Sequence, residues 1–197
     1  MINIQKAAVI GCGFVGASIA YTLMQKGIFS ELVLIDAVME KAEGEAMDIS
    51  HGLPFAHAMD IYAGTYANIE DASILIITAG ANQKEGETRL DLVQKNAGIM
   101  RSIIGNIRKT AFDGLLLIVS NPVDILTEVG AVYLFLGVIH KSSTPFSGLY
   151  HVAWCGSASA PAGRRGVQYP RTCGFFEARQ PRRGYLSVWY NRCPSVF

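Results

Sequence analysis

Aspartate does not occur after Asp124, Lys141 is the only lysine beyond Lys109, and Glu177 is the only acidic residue after Glu128. The absences fall on one side of the chain. Residues 1–129 hold 9 basic and 15 acidic side chains, whereas residues 130–197 hold 8 basic and 1 acidic. The formal charge of +1 over 197 residues therefore joins two halves of opposite sign. That total excludes a strongly basic nucleic-acid binder, and a hydrophobic content of 50% excludes an acidic disordered chain. The four cysteines show no metal-ligand spacing such as C-x-x-C, so no metal site is expected. The longest apolar run, from Val129 to Ile139, is about half of the roughly 20 residues a membrane span needs, so no membrane partner is expected either. The first residues carry no basic segment followed by an apolar one, and no Asn-x-Ser/Thr sequon occurs. Reduced thiols and a cytoplasmic location are the corresponding expectations. The second half is enriched instead in proline, with five of the seven, and holds both tryptophans, Trp154 and Trp189.

What is present in the first half has a clear rhythm. Residues 7–10, 32–35, 60–63, 73–78 and 115–119 are short runs of apolar character, read as strands buried on both faces. Residues 14–26, 39–49 and 89–110 read as helices between them, and another begins near Val123. In the first helix Val15, Ile19, Thr22, Leu23 and Lys26 recur at intervals of three and four, and Gly27 stands where a left-handed C-cap belongs. Residues 79–88 are polar and long for a strand–helix connection. Strands alternating with helices imply an α/β fold with a doubly wound parallel sheet. After Val129 the rhythm stops, and no secondary structure is assigned to residues 130–197.

Gly11-Cys12-Gly13-Phe14-Val15-Gly16 is a G-x-G-x-x-G sequence placed between an apolar strand and a helix. Gly11 is expected to permit the tight turn and Gly13 to let the backbone approach a pyrophosphate. Gly16 is expected to let the helix pack against the strand. The amides at the start of the helix, around Phe14 and Val15, would then meet the phosphate charge. Asp36 lies 20 residues after Gly16, at the end of the second strand, where a carboxylate can accept hydrogen bonds from an adenosine ribose. It would repel a 2′-phosphate, and Ala37-Val38 offers no arginine to offset that, so NAD is expected rather than NADP. The plainer role for Asp36 is the N-cap of the following helix.

Three segments resemble the NAD-dependent L-lactate dehydrogenases, and more broadly the lactate/malate dehydrogenase superfamily. They are Ile10-Gly-Cys-Gly-Phe-Val-Gly16, Ile77-Thr-Ala-Gly-Ala-Asn-Gln-Lys-Glu-Gly-Glu-Thr-Arg-Leu90 and Val119-Ser-Asn-Pro-Val-Asp124. The resemblance runs from about Lys6 to Val129 and implies a Rossmann-type sheet that binds NAD. It implies that residues 80–89 form a loop closing over a small 2-oxo or 2-hydroxy acid. Arg89 would polarise the ketone and steady the charge that develops on its oxygen. Gln83 would stand at the specificity position, where a neutral amide suits the methyl group of pyruvate. Asn121 would bond the substrate oxygen and lie near the nicotinamide ribose. Intact relatives are expected to be homo-oligomers. No catalytic role falls on Asp48 or on any of the four histidines.

The same resemblance specifies what the second half lacks. The family's general acid/base histidine lies in a Gly-Glu-His-Gly-Asp-Ser segment, oriented by an aspartate that shares an Asp-x-x-Arg spacing with the arginine clamping the substrate carboxylate. None of these occurs in residues 130–197. The expectation is a dinucleotide-binding domain over residues 1–129 whose sixth strand and catalytic domain are missing, followed by an irregular tail. Two readings follow, an L-lactate dehydrogenase and a catalytically inactive NAD-binding fragment. An uncovered fifth strand would leave NAD binding weak. The arginine pairs Arg164-Arg165 and Arg182-Arg183 lack helical or aromatic order, so no nucleic-acid partner is expected. The abrupt change of composition fits a shift of reading frame near codon 129. Translating the DNA downstream in the other two frames should then reveal the histidine segment; its absence from both would make residues 130–197 a genuine alternative ending.

Overall fold

The computed structural model describes residues 3–83, 85–141, 150–156, 172–179 and 187–192, with side chains described as far as Leu134. Strand β1 (Asn3–Ile10) leads to helix α1 (Phe14–Lys26), β2 (Glu31–Ile35), α2 (Met39–Ser50) and β3 (Asp60–Ala63). Then come β4 (Ala72–Ile77), α3 (Arg89–Ile107), β5 (Leu115–Ile118) and α4 (Val123–Lys141). The strands lie in the order β3-β2-β1-β4-β5, all parallel. This is the doubly wound arrangement read from the sequence, with its topological switch between β1 and β4.

The unbroken apolar runs are explained by burial on both faces. Ala8, Ile10, Val33, Ile35, Leu75 and Ile77 point to one side, packed with Met100 and Ile104 of α3 and Leu126 of α4. Ala7, Val9, Leu32, Leu34 and Ile76 point to the other, packed with Ala20 and Met24 of α1 and with Ala42 and Ile49 of α2. Alternate residues of one strand thus enter two separate cores, so both sides of these central stretches are apolar.

Helix α1 departs from the reading in one respect. Its buried residues are Gly16, Ala20 and Met24, spaced by four, while Val15 is exposed and Ile19 and Leu23 are half-buried. Small side chains let the helix sit directly on the sheet, and that close seat, not maximal hydrophobicity, selects the inward face. Gly27 does end the helix in the left-handed conformation, its amide donating to the Leu23 and Met24 carbonyls.

The second half also differs. Among the described residues three short strands stand in the second half, where the sequence shows no sustained period. Strand β6 (Tyr150–Gly156) pairs parallel with β5, and β7 (Thr172–Arg179) and β8 (Ser187–Arg192) continue the sheet antiparallel. Their sequences are rich in the aromatic and β-branched residues that suit pleated strands, and the open edge of β5 offers unpaired backbone groups to pair with. The edge expected to be uncovered is therefore covered by β6. Helix α4 also runs on past residue 129, with Leu134 buried against the first core. No helix among the described residues is long and apolar enough to cross a membrane.

At the end of the sheet opposite the glycine turn, Lys6 is buried and bridges two carboxylates, Glu31 at 3.0 Å and Asp71 at 2.8 Å. Burial by itself would lower the pKa of the ammonium, but the hydrogen bonds to Asp71 and Glu31 outweigh it and hold the group above its usual value. The Lys6 contact in turn holds Asp71 below the ordinary carboxylate range. Tyr62 donates to Glu31 at 2.7 Å, and burial raises its phenol. The lysine's contribution is complete below its unfolded value and is lost only as pH climbs through the raised one. The aspartate's contribution is complete above its unfolded value and is lost as pH falls through the lowered one. Because the carboxylates are partly exposed, Lys6→Met should cost about 1–2 kcal/mol in urea unfolding near neutral pH, between a surface pair and a fully buried one. The cost should shrink below about pH 4 as Asp71 is protonated. An unchanged midpoint would show that the pairs contribute nothing.

Candidate functional site

The turn after β1 is pinned on two sides. On the β2 side, the Gly11 amide donates to the Ile35 carbonyl at 2.7 Å and the Cys12 amide to Asp36 Oδ2 at 2.7 Å. On the β4 side, Thr78 Oγ1 donates to the Gly11 carbonyl at 2.6 Å, and the Ala79 amide to the Ile10 carbonyl at 3.0 Å.

Within that frame each glycine of the turn has its own reason. Gly11 has φ +105°, and a side chain there would meet Ala79 N at 2.6 Å. A methyl on Gly16 would run into the Gly11 carbonyl oxygen and lie 2.8 Å from Thr78 Oγ1, which is the close helix–strand approach expected of it. Gly13 is different, since nothing lies within 4 Å of where its Cβ would be. Its backbone faces open space.

That open space belongs to a cleft of about 500 Å³ whose walls include Gly11, Gly13, Asp36, Thr78 and Gly80. Helices α1 and α3 leave β1 and β4 toward opposite faces, which is what opens a crevice at the switch. The first amides of α1 have no intrahelical acceptors. No side chain caps them and no acidic residue stands in the first turn, unlike α3, where Thr88 and Asp91 form a capping box. The α1 terminus is thus left free for an anion. A ribose acceptor, room for a phosphate and an unopposed helix N-terminus in one cleft fit a dinucleotide.

The cofactor candidates therefore divide. Gly11, Gly13 and Asp36 line the cleft, and Gly16 supports it from behind. The side chains of Phe14, 95% exposed, and Val15 lie on the outer face of α1, so any part they take is through their amides. Asp36 is not the N-cap of α2, which is Val38; its Oδ1 accepts the Val38 amide at 3.1 Å. Arg89 is exposed in the first turn of α3, Asn121 is exposed after β5, and Gln83 Nε2 donates to the Glu87 carbonyl at 2.8 Å within its own loop. These three do not line the cleft. The Asn121–Pro122 peptide is cis.

Comparison with known proteins agrees with this geometry. Residues 5–133 match the family described as lactate/malate dehydrogenase, NAD binding domain. The chain belongs to that family. The NAD-binding domain is 57% identical over 125 residues to an L-lactate dehydrogenase of Priestia megaterium, covering 64% of this chain and 39% of that protein. It is 55% identical over 126 residues to an L-lactate dehydrogenase of Acetivibrio thermocellus, covering 64% and 40%. Among solved structures, the ligand-bound minor L-lactate dehydrogenase of Enterococcus mundtii matches with a TM-score of 0.65 at 46% identity, over 67% of this chain and 42% of that one. The apo malate dehydrogenase of Picrophilus torridus matches with a TM-score of 0.62 at 32% identity, over 68% and 43%. The chain thus spans about two fifths of the length of the curated relatives it matches.

Several residues of the NAD-binding domain's site were not singled out from sequence. Lys41, one turn into α2, lines the cleft and brings a cation into the space that Asp36 borders. Tyr66 also lines it, its phenol raised by burial and so kept neutral. Cys12 is buried, and its thiol is pushed up to about 11, first by burial and then by the nearby Asp36 and Glu45 carboxylates. A protonated thiol pointing at the Ile35 carbonyl is a packing group. Asn96, buried in α3, links two loops. No cluster of His, Cys, Asp and Glu suited to a metal occurs among the described residues.

The glycines separate fold from binding. Gly13→Ala should leave stability within about 1 kcal/mol, because the backbone there is extended and the space is empty, yet weaken NAD binding by filling the phosphate's place. Gly11→Ala and Gly16→Ala should lower stability directly, measured by thermal melts alongside NADH titrations. A Gly13→Ala chain with full NADH affinity would contradict the assignment.

Proposed function

We propose that residues 1–129 serve as the dinucleotide-binding unit of a cytoplasmic L-lactate dehydrogenase. The carrying observation is that Gly13 faces open space beside the uncapped start of α1, with Asp36 on the same cleft. Asp36 would accept the adenosine ribose hydroxyls, the amides near Gly13 and Phe14 the pyrophosphate, and the nicotinamide half would extend past β4 toward Asn121. NAD, when bound, supplies the acceptor of a hydride from the 2-hydroxy acid. Arg89 would place its guanidinium on the oxygen of the 2-oxo acid, and Asn121 would donate to the same oxygen. Gln83 would favour a methyl substituent over a second carboxylate. For Arg89 to act, the loop that Gln83–Glu87 and the 2.6 Å Lys95–Glu87 pair now hold would have to close toward the cleft.

A second reading, a unit that binds NAD without turnover, is favoured by the composition of residues 130–197. With no aspartate and no Gly-Glu-His-Gly-Asp-Ser segment, they provide neither the oriented acid/base histidine nor its partner. The 197-residue chain should bind NADH, detected by the enhancement of its fluorescence. NADPH should bind at least about tenfold more weakly, because its 2′-phosphate meets Asp36. Pyruvate-dependent oxidation of NADH should be absent. Turnover with pyruvate would overturn the second reading, and equal affinity for the two nucleotides would overturn the role given to Asp36.

A further inference from the structure

Asn96 is 3% exposed in α3, whose other buried residues are all apolar. A buried amide in mid-helix is costly unless both its ends are satisfied. Here they are satisfied by two different loops. Oδ1 accepts the Ala81 amide at 2.8 Å, and Nδ2 donates to the Asn121 carbonyl at 3.0 Å. One partner is a donor and the other an acceptor, which fixes the orientation of the side-chain amide. Ala81 opens the segment that carries Gln83 and Arg89, and Asn121 is itself a candidate site residue. A second buried side chain makes a parallel tie, since Ser120 Oγ donates to the Ala79 carbonyl at 2.7 Å.

We propose that Asn96 is a positioning residue. It holds the loop after β4 and the loop after β5 in fixed register, and so shapes the wall of the cleft beyond the β1/β4 switch without touching cofactor. In a doubly wound sheet the two halves of a dinucleotide lie on either side of that switch. The adenosine half belongs with β1, β2 and Asp36, which Asn96 does not contact. The other half belongs with the β4 and β5 loops, which it joins. Among side chains of similar volume, only asparagine offers a donor and an acceptor on one rigid plane without first taking up a proton. A buried aspartic acid that stays protonated could keep both bonds, whereas a leucine removes both.

The inference rests on the NAD-binding reading and can be tested apart from it. The 197-residue chain, its Asn96→Leu variant and its Ser120→Ala variant would be titrated with NADH and with ADP-ribose, which lacks the nicotinamide, and their melting followed. Asn96→Leu should weaken NADH by about tenfold or more while ADP-ribose changes by less than about twofold. Ser120→Ala, a milder change, should show the same split at smaller size and covers the case in which the leucine variant does not fold. Equal weakening of both ligands in whichever variants fold would make the role structural only, and no weakening of either would remove it; both outcomes overturn the proposal. An unsubstituted chain that binds ADP-ribose no less tightly than NADH would overturn it and leave the NAD reading standing. Binding of neither ligand would overturn both.

Discussion

The close approach of the β1–α1 turn to the end of β4 is the constraint on which the rest of the structure depends. Gly11 lies against Ala79, Gly16 against the Gly11 carbonyl, and Thr78 closes the gap with a hydrogen bond of 2.6 Å. The approach forces small residues, Gly16 and Ala20, onto the inner face of the first half of α1, where the helix lies closest to the turn. It also brings the start of α1 to the strand ends, where its free amides face the cleft. Asp36, bonded to the Cys12 amide, fixes the turn from the other side and borders the cleft with the same carboxylate. One set of contacts therefore builds the turn and places its chemistry.

The two ends of the sheet carry different work. At one end Lys6, Glu31, Asp71 and Tyr62 form a buried-to-exposed polar cluster that joins β1, β2, β3 and the residue preceding β4. At the other, the polar groups are backbone amides and carbonyls of the loops, a carboxylate, and side chains that bond to those backbone groups. Asn96 and Ser120 belong to this second set, and they tie the loops after β4 and β5 much as Thr78 and Asp36 tie the loop after β1. Parallel strands bring all these loops to one edge, which is why the site can be assembled from segments far apart in the chain.

How far the sequence reveals this differs by element for physical reasons. The strands of the first half are legible because each lies between two cores and must be apolar on both sides. The bounds of α1 are legible because Gly13 and Gly27 flank it, and the glycine turn because its glycines sit between a strand and a helix. The inner face of α1 is not, since Gly16 and Ala20 carry almost no hydrophobic signal and Val15 and Ile19 carry more. Asn96 is silent for a related reason: a mid-helix asparagine reads as an exposed residue until the loops that it joins are seen in space. Lys41 escapes a reading confined to the residues directly behind Asp36, since only the first turn of α2 brings it round to the cleft. The strands after α4 escape it because they have neither a steady period nor regular turn signals, and their pairing begins from the edge of β5.

The central claim is that the open space at Gly13, the start of α1 and Asp36 form one dinucleotide site. Titrating ¹⁵N-labelled chain with NAD and following its backbone amides by NMR tests it most directly. The account predicts that the largest shifts fall on residues 11–16, 36–38 and 78–81, with smaller ones near Asn121. Shifts confined to other surfaces, or none at saturating NAD, would contradict it.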